Sequence, residues 1–168
     1  PLDSITLNVT SVTTSDTAGR IYKWTKLKSP GATNKRITVI GSSTVEGYGV
    51  SATQNFVYLL KQHYKSLGLI DTIYNLGSGG TDPINYNYTT ALNKGAEVFL
   101  MSFPTNGYDT YSISTILAEY REARDSCLGR GVEFFCTGTQ PRNPYSAVNR
   151  TKLNTINDSL RNIFGERF

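Results

Sequence analysis

The 168-residue chain has one histidine, one tryptophan, one methionine and two cysteines, and it contains no run of like charge. With His63 the only histidine and Cys127 and Cys136 apart, no cluster has the ligand spacing of a zinc or other transition-metal site. No metal and no organic cofactor is therefore expected. No apolar stretch approaches the ~20 residues that cross a bilayer. Lysine and arginine total 17 against 13 acidic residues, a formal +4. These charges are scattered, and without a basic face they argue against a nucleic-acid partner. The start, PLDSITLNVT, lacks the basic and apolar regions of a signal peptide. Its polar, Thr-rich character and the 11 tyrosines of the chain suit an exported protein, so an extracellular or periplasmic location is the expectation.

The cysteines are expected to be free. Cys127 falls near the end of a helical pattern and Cys136 near the far end of the next strand, roughly 15 Å away at strand spacing. A disulfide needs Cα atoms closer than ~7 Å, so both thiols are expected to pack as small buried hydrophobes. Sequons at Asn8, Asn87, Asn149 and Asn157 are near chance for a chain rich in Asn, Ser and Thr.

What the chain does contain is a regular alternation of strand and helix patterns. Residues 1–34 stand apart: Ile5, Leu7 and Val9 alternate with polar residues, and Ile21 to Leu27 alternate again around Trp24. This predicts an N-terminal β-hairpin appendage or the tail of a preceding domain, with a linker at 29–31. From residue 35 the reading is a single α/β domain to residue 168. Strands are predicted around Ile37–Ile40, over Ile70–Leu76, over Ala96–Phe103 and over Gly131–Thr137. Helices are predicted over Thr53–Leu67, Ile84–Asn93, Ser112–Leu128 and Ser146–Phe164. Such alternation implies a three-layer αβα, flavodoxin-like parallel sheet with four strands present, a fifth being expected to start where the chain stops and so to be truncated.

Three loops at the carboxyl ends of the first three strands carry the chemistry-bearing residues. The first is GSST at 41–44, the second GSGGTD at 77–82 and the third PTNGYD at 104–109. In an open α/β sheet such loops face the ligand crevice. A serine, a glycine-rich backbone and an asparagine amide on one sheet edge suit acyl transfer, because a tetrahedral oxyanion needs preorganised N–H donors.

These blocks, in this order, resemble those of the SGNH hydrolase (GDSL-like esterase and lipase) family, over residues 35–168. The resemblance implies that Ser43 is the nucleophile, with its own N–H, Gly80 and Asn106 forming the oxyanion hole. Ser42 replaces the usual Asp and Gly107 stands where an Asp is usual. TQPRN at 139–143 resembles the segment after the fourth strand in many members. Ser42, Thr44, Thr81, Asp82 and Thr105, on the same loops, are expected to meet the substrate. That substrate would be a small-molecule or polysaccharide carboxyl ester, with a lean toward a carbohydrate ester because Tyr48, Tyr86, Tyr88, Tyr108 and Tyr111 are placed to line a crevice.

The family's last block, D-x-x-H, supplies the base, and the 168 residues contain no such motif. His63 sits on a helix face among Lys61, Gln62 and Lys65 and reads as a surface residue. The expectation is a hydrolase fragment with the base missing, inactive or weak alone. Two other readings are a non-catalytic carbohydrate-binding relative and a flavodoxin-like FMN or phosphate binder. Oligomeric state is not legible.

Overall fold

The computed structural model describes residues 35–140 and 146–168. The expected hairpin and linker in residues 1–34, and residues 141–143 of TQPRN, lie outside them.

Four parallel strands form one sheet: β1 (Lys35–Gly41), β2 (Ile70–Gly77), β3 (Val98–Ser102) and β4 (Glu133–Cys136), in the order β2-β1-β3-β4. The first of these strands in the chain, β1, is interior because the connections lead outward from it on both sides, the order that leaves a crevice between the β1 and β3 loops. The registers carry Gly41 level with Gly77 on one side and with Ser102 on the other, so all three strands end together.

Alternation along the strands splits the core in two. Val39 and Ile73 face one side, where Val45 and Val57 cover them, with Ile37, Leu60, Tyr64 and Leu100 around the edge. Ile40, Phe99, Met101, Phe134 and Cys136 face the other side. There they pack under α3 (Tyr88–Leu92), α4 (Ile113–Leu128) and α5 (Ala147–Phe164). Ile116, Tyr120, Ala123 and Cys127 of α4 and Leu153, Ile156, Leu160 and Phe164 of α5 supply the buried stripes at helical spacing. Ser112 and Ser146 cap these two helices, accepting from Thr115 N and Asn149 N. Both cysteines are free and buried, as expected. Burial pushes each thiol up to about 12, so neither is a thiolate at neutral pH.

Several boundaries differ from the sequence reading. The helix expected over Ile84–Asn93 is only Tyr88–Leu92. The Asp82 carboxylate accepts from Ile84 N and Asn85 N, which holds the preceding residues in a turn. The helix α2 (Phe56–Ser66) begins three residues later than expected, where Asn55 caps it by accepting from Val57 N. Leu59, Leu67, Leu128 and Val148 are exposed. After α5 the chain forms a 3-10 turn, Gly165–Arg167.

Candidate active site

The loop after β1 folds at once into a four-residue helix, α1 (Ser43–Glu46), that periodicity had no length to reveal. Ser43 is its first residue, so the Ser43 N–H has no partner within the helix and points out of its end. The helix is fixed at its other end. Asn55 Nδ2 and Asn75 Nδ2 both donate to the Val45 carbonyl, at 2.9 and 2.8 Å. Each amide is itself oriented, since Asn55 Oδ1 accepts from Val57 N and Asn75 Oδ1 from Gly77 N. Beneath α1 lies bare backbone: a Cβ on Gly77 would stand 2.1 Å from Glu46 N, and one on Gly41 2.3 Å from Val45 Cγ2. The short helix thus seats directly on the ends of β1 and β2.

Hydrogen bonds tie the three loops together. Ser78 N donates to Gly41 O at 2.9 Å, joining the second loop to the first. Asn106 Nδ2 donates to Thr81 O at 3.0 Å, joining the third loop to the second, one residue from Gly80. Gly80 itself is exposed, in a left-handed turn with φ 78°, and a Cβ there would meet nothing within 4 Å. Gly107, with φ 81°, allows a close approach: a Cβ there would meet the Asp82 Cβ at 2.8 Å. That packing and the positive φ leave room only for glycine at this position.

The residues expected to meet substrate separate. Thr44 is exposed, and Thr81 and Thr105 are half-buried. Thr81 Oγ1 donates to Ser78 O at 2.5 Å, within its own turn. Ser42 is 1% exposed, and its Oγ is buried with no hydrogen-bond partner, so its hydroxyl lies inside the fold and not at a substrate-facing surface. Asp82 gives its carboxylate to the backbone of Ile84 and Asn85 and to the Asn85 side chain. It shapes the loop from within. The tyrosine-lined crevice is also corrected. Tyr108 is 1% exposed and shares a buried hydrogen bond with Tyr120, at 3.0 Å. Tyr86 donates inward to Leu76 O. Tyr48, 83% exposed, borders the pocket beside Ser43.

That pocket, of about 290 Å³, lies between α1, the turns that follow it and the start of α2, and includes Ser43, Tyr48, Val50 and Phe56. Sequence reasoning missed it; the glycines at 47 and 49, both at positive φ, were its one local signal. His63 is exposed on α2, on none of the three loops, with its ring edge to face against Tyr64. Among the described residues no group of three or more His, Cys, Asp or Glu is placed to hold a metal ion. No described helix is long and apolar enough to cross a membrane.

No protein-family model matches the chain, and no curated protein matches it by sequence. Solved structures do match. A G-D-S-L family protein from Desulfitobacterium hafniense DCB-2 superposes with a TM-score of 0.66 at 12% identity, covering 79% of this chain and 73% of its own. The psychrotrophic esterase EstA from Pseudoalteromonas sp., in a structure inhibited by monoethylphosphonate, gives 0.64 at 11% identity, over 77% and 73%. AlinE4, an SGNH-hydrolase family esterase, gives 0.65 at 15% identity, over 77% and 72%. The strand order, the crossovers and these superpositions agree: the chain has the fold of the GDSL and SGNH hydrolases.

Proposed function

We propose that this domain is a serine-type carboxyl ester hydrolase. Ser43 is the nucleophile, and the Ser43 and Gly80 N–H groups and the Asn106 carboxamide are the oxyanion donors. The observation that carries this reading is the stitching of the three loops: Gly41, Ser78, Thr81 and Asn106 are joined in sequence by hydrogen bonds around the start of α1. The similarity in fold to EstA and AlinE4, both esterases, supports it.

In the proposed reaction the Ser43 hydroxyl attacks the ester carbonyl, its proton passes to a base, and the carbonyl oxygen becomes the oxyanion that the donors stabilise. Collapse expels the alcohol, and water then hydrolyses the acyl-serine. A phosphate-binding alternative has less support, because α1 spans one turn and its dipole is correspondingly small.

The base is the unassigned part. His63 is the only histidine in the 168 residues and lies exposed on α2. A serine without a base keeps only the modest acceleration of the oxyanion donors and binding. Hydrolysis of p-nitrophenyl acetate by the 168 residues is therefore expected to stay near background. Added imidazole should raise the rate of the parent chain above that of Ser43→Ala measured in the same imidazole. Equal rates for the two proteins at every imidazole concentration would remove Ser43 from the reaction. Fast hydrolysis without imidazole would show that a base other than histidine serves it.

A further inference from the structure

The pairing of β1 with β3 ends at Gly41 and Ser102, so the carbonyl of the next residue, the fully buried Phe103, lies beyond the last rung of the sheet. A buried carbonyl needs a donor. Two phenols reach this one: Tyr108 OH donates to Phe103 O, and Tyr120 OH, from α4, lies 3.5 Å from the same oxygen. The two hydroxyls are 3.0 Å apart, and since Tyr108 gives its single proton to Phe103, Tyr120 is the donor between them. Burial raises the Tyr120 hydroxyl well above the ordinary phenol range, so it stays a donor at neutral pH.

One donor is enough for such a carbonyl, and α4 supplies it. The second comes from the third loop itself. By returning to the residue at which the loop leaves β3, the Tyr108 side chain closes residues 103–108 into a ring with buried ends and a half-buried apex at Thr105, Asn106 and Gly107. Each limb has a further anchor: Gln140 N donates to Pro104 O at 2.9 Å, and Thr110 N and Tyr111 N donate to Gly107 O. Asn106 thus stands at the top of a braced loop.

Direction is what that bracing controls. The Asn106 amide nitrogen carries two hydrogens in one plane, and the bond to Thr81 O, at 3.0 Å, fixes where the other points. An oxyanion donor is useful only when aimed before the reaction, and a misplacement of about 1 Å costs up to roughly a hundredfold in rate.

We propose that Tyr108 is a positioning residue: its hydroxyl, by closing the loop onto Phe103 O, holds the Asn106 carboxamide in direction. The inference rests on Asn106 being an oxyanion donor. Tyr120 has the lesser part, because its loss leaves the bond from Tyr108 to Phe103 in place.

The test pairs a rate with a signal that needs no reaction. The rate is phosphonylation of Ser43 by a fluorophosphonate, with imidazole as base, in the parent, Tyr108→Phe, Tyr120→Phe, Asn106→Ala and the double variant Tyr108→Phe/Asn106→Ala. Tyr108→Phe keeps the ring and should slow labelling several-fold, while Tyr120→Phe should stay within about twofold of the parent. If Tyr108 acts through Asn106, the two losses do not multiply, and the double variant should label within about twofold of Asn106→Ala. The signal is hydrogen exchange of the side-chain amides by NMR. Tyr108→Phe should speed exchange at Asn106 and leave Asn55 and Asn75, which are tied to Val45 O, as protected as in the parent.

A Tyr108→Phe protein that labels at the parent rate, losses that multiply in the double variant, or equal loosening of all three amides would each overturn the proposal. So would an Asn106 amide in the parent that exchanges as fast as that of Asn154, exposed on α5, a measurement that needs no variant to fold. Loosening at Asn106 in a protein whose labelling ignores Asn106 would remove the oxyanion reading and keep the brace. Labelling that depends on Asn106 but not on Tyr108 would remove only the brace.

Discussion

Gly77 and Gly80 are three residues apart in one loop, yet the structure asks different things of them. Gly77 is a seat for α1: a methyl there meets backbone atoms of Val45 and Glu46, which have no side-chain freedom to yield. Gly80 has open space around it and is glycine for its left-handed φ alone. Gly80→Ala should therefore cost about 1–2 kcal/mol, the usual strain of an L-residue in that region. Gly77→Ala should cost more, because it must lift α1 from the sheet or distort β2. Urea unfolding of the two variants distinguishes them, and a Gly77→Ala protein as stable as Gly80→Ala would mean that α1 is not seated as described. The same scale explains Asn75. It lies at the end of a strand but spends its amide on Val45 O, thirty residues earlier, and so helps aim the helix that carries Ser43.

At the scale of elements, the strands were legible because parallel strands buried on both faces leave short, β-branched, apolar runs, as in ITVI and EVFLM. The two long helices were legible for their apolar stripes. α1 was not, because four residues hold no period and its position depends on side chains of Asn55 and Asn75 that only the tertiary fold brings near. The candidate residues were legible as types on three loops. Their partners were not: the bond from Asn106 to Thr81 O spans 25 residues, and nothing local announces it. Tyr108 looked like a crevice residue by its place in the loop, but its burial beside Tyr120 is a packing outcome.

The link between the start of β1 and the segment before β3 gives a pH-dependent test at this scale. Arg36 Nη2 meets Glu97 Oε1 at 2.8 Å, and Arg36 N donates to Glu97 Oε2 at 2.6 Å. The Arg36 hydrogen bond, more than the charge itself, holds the Glu97 carboxyl below its ordinary value. A carboxyl lowered on folding stabilises the protein above its unfolded pKa, and that contribution is lost as pH falls through the folded pKa. Both side chains are more than 40% exposed, so solvent screens the pair and its contribution is small. Glu97→Gln should lower the melting temperature slightly at pH 7, and the gap to the parent should narrow as the pH falls through the acid range. A gap that instead widens as the pH falls would contradict the assignment.

Over the whole domain, one sheet with β1 and β3 side by side places the ends of three strands at one edge, and the loops grown from that edge share hydrogen bonds. This is why a chain only 11–15% identical to the structures it resembles can keep their architecture: the constraint is on strand order and loop closure, which many sequences satisfy. The proposed chemistry depends on a narrower condition, a Ser43 hydroxyl standing before donors from the other two loops.

The most direct measurement is peptide mapping by mass spectrometry after incubation with a fluorophosphonate in the presence of imidazole, which supplies the base while the reagent phosphonylates an ester hydrolase's serine through a tetrahedral centre resembling the one proposed here. The account predicts one adduct, on Ser43, absent in Ser43→Ala and formed at least about tenfold more slowly in Asn106→Ala, which loses an oxyanion donor. An intact Ser43 alongside labelled hydroxyls elsewhere, or a rate indifferent to Asn106, would contradict it.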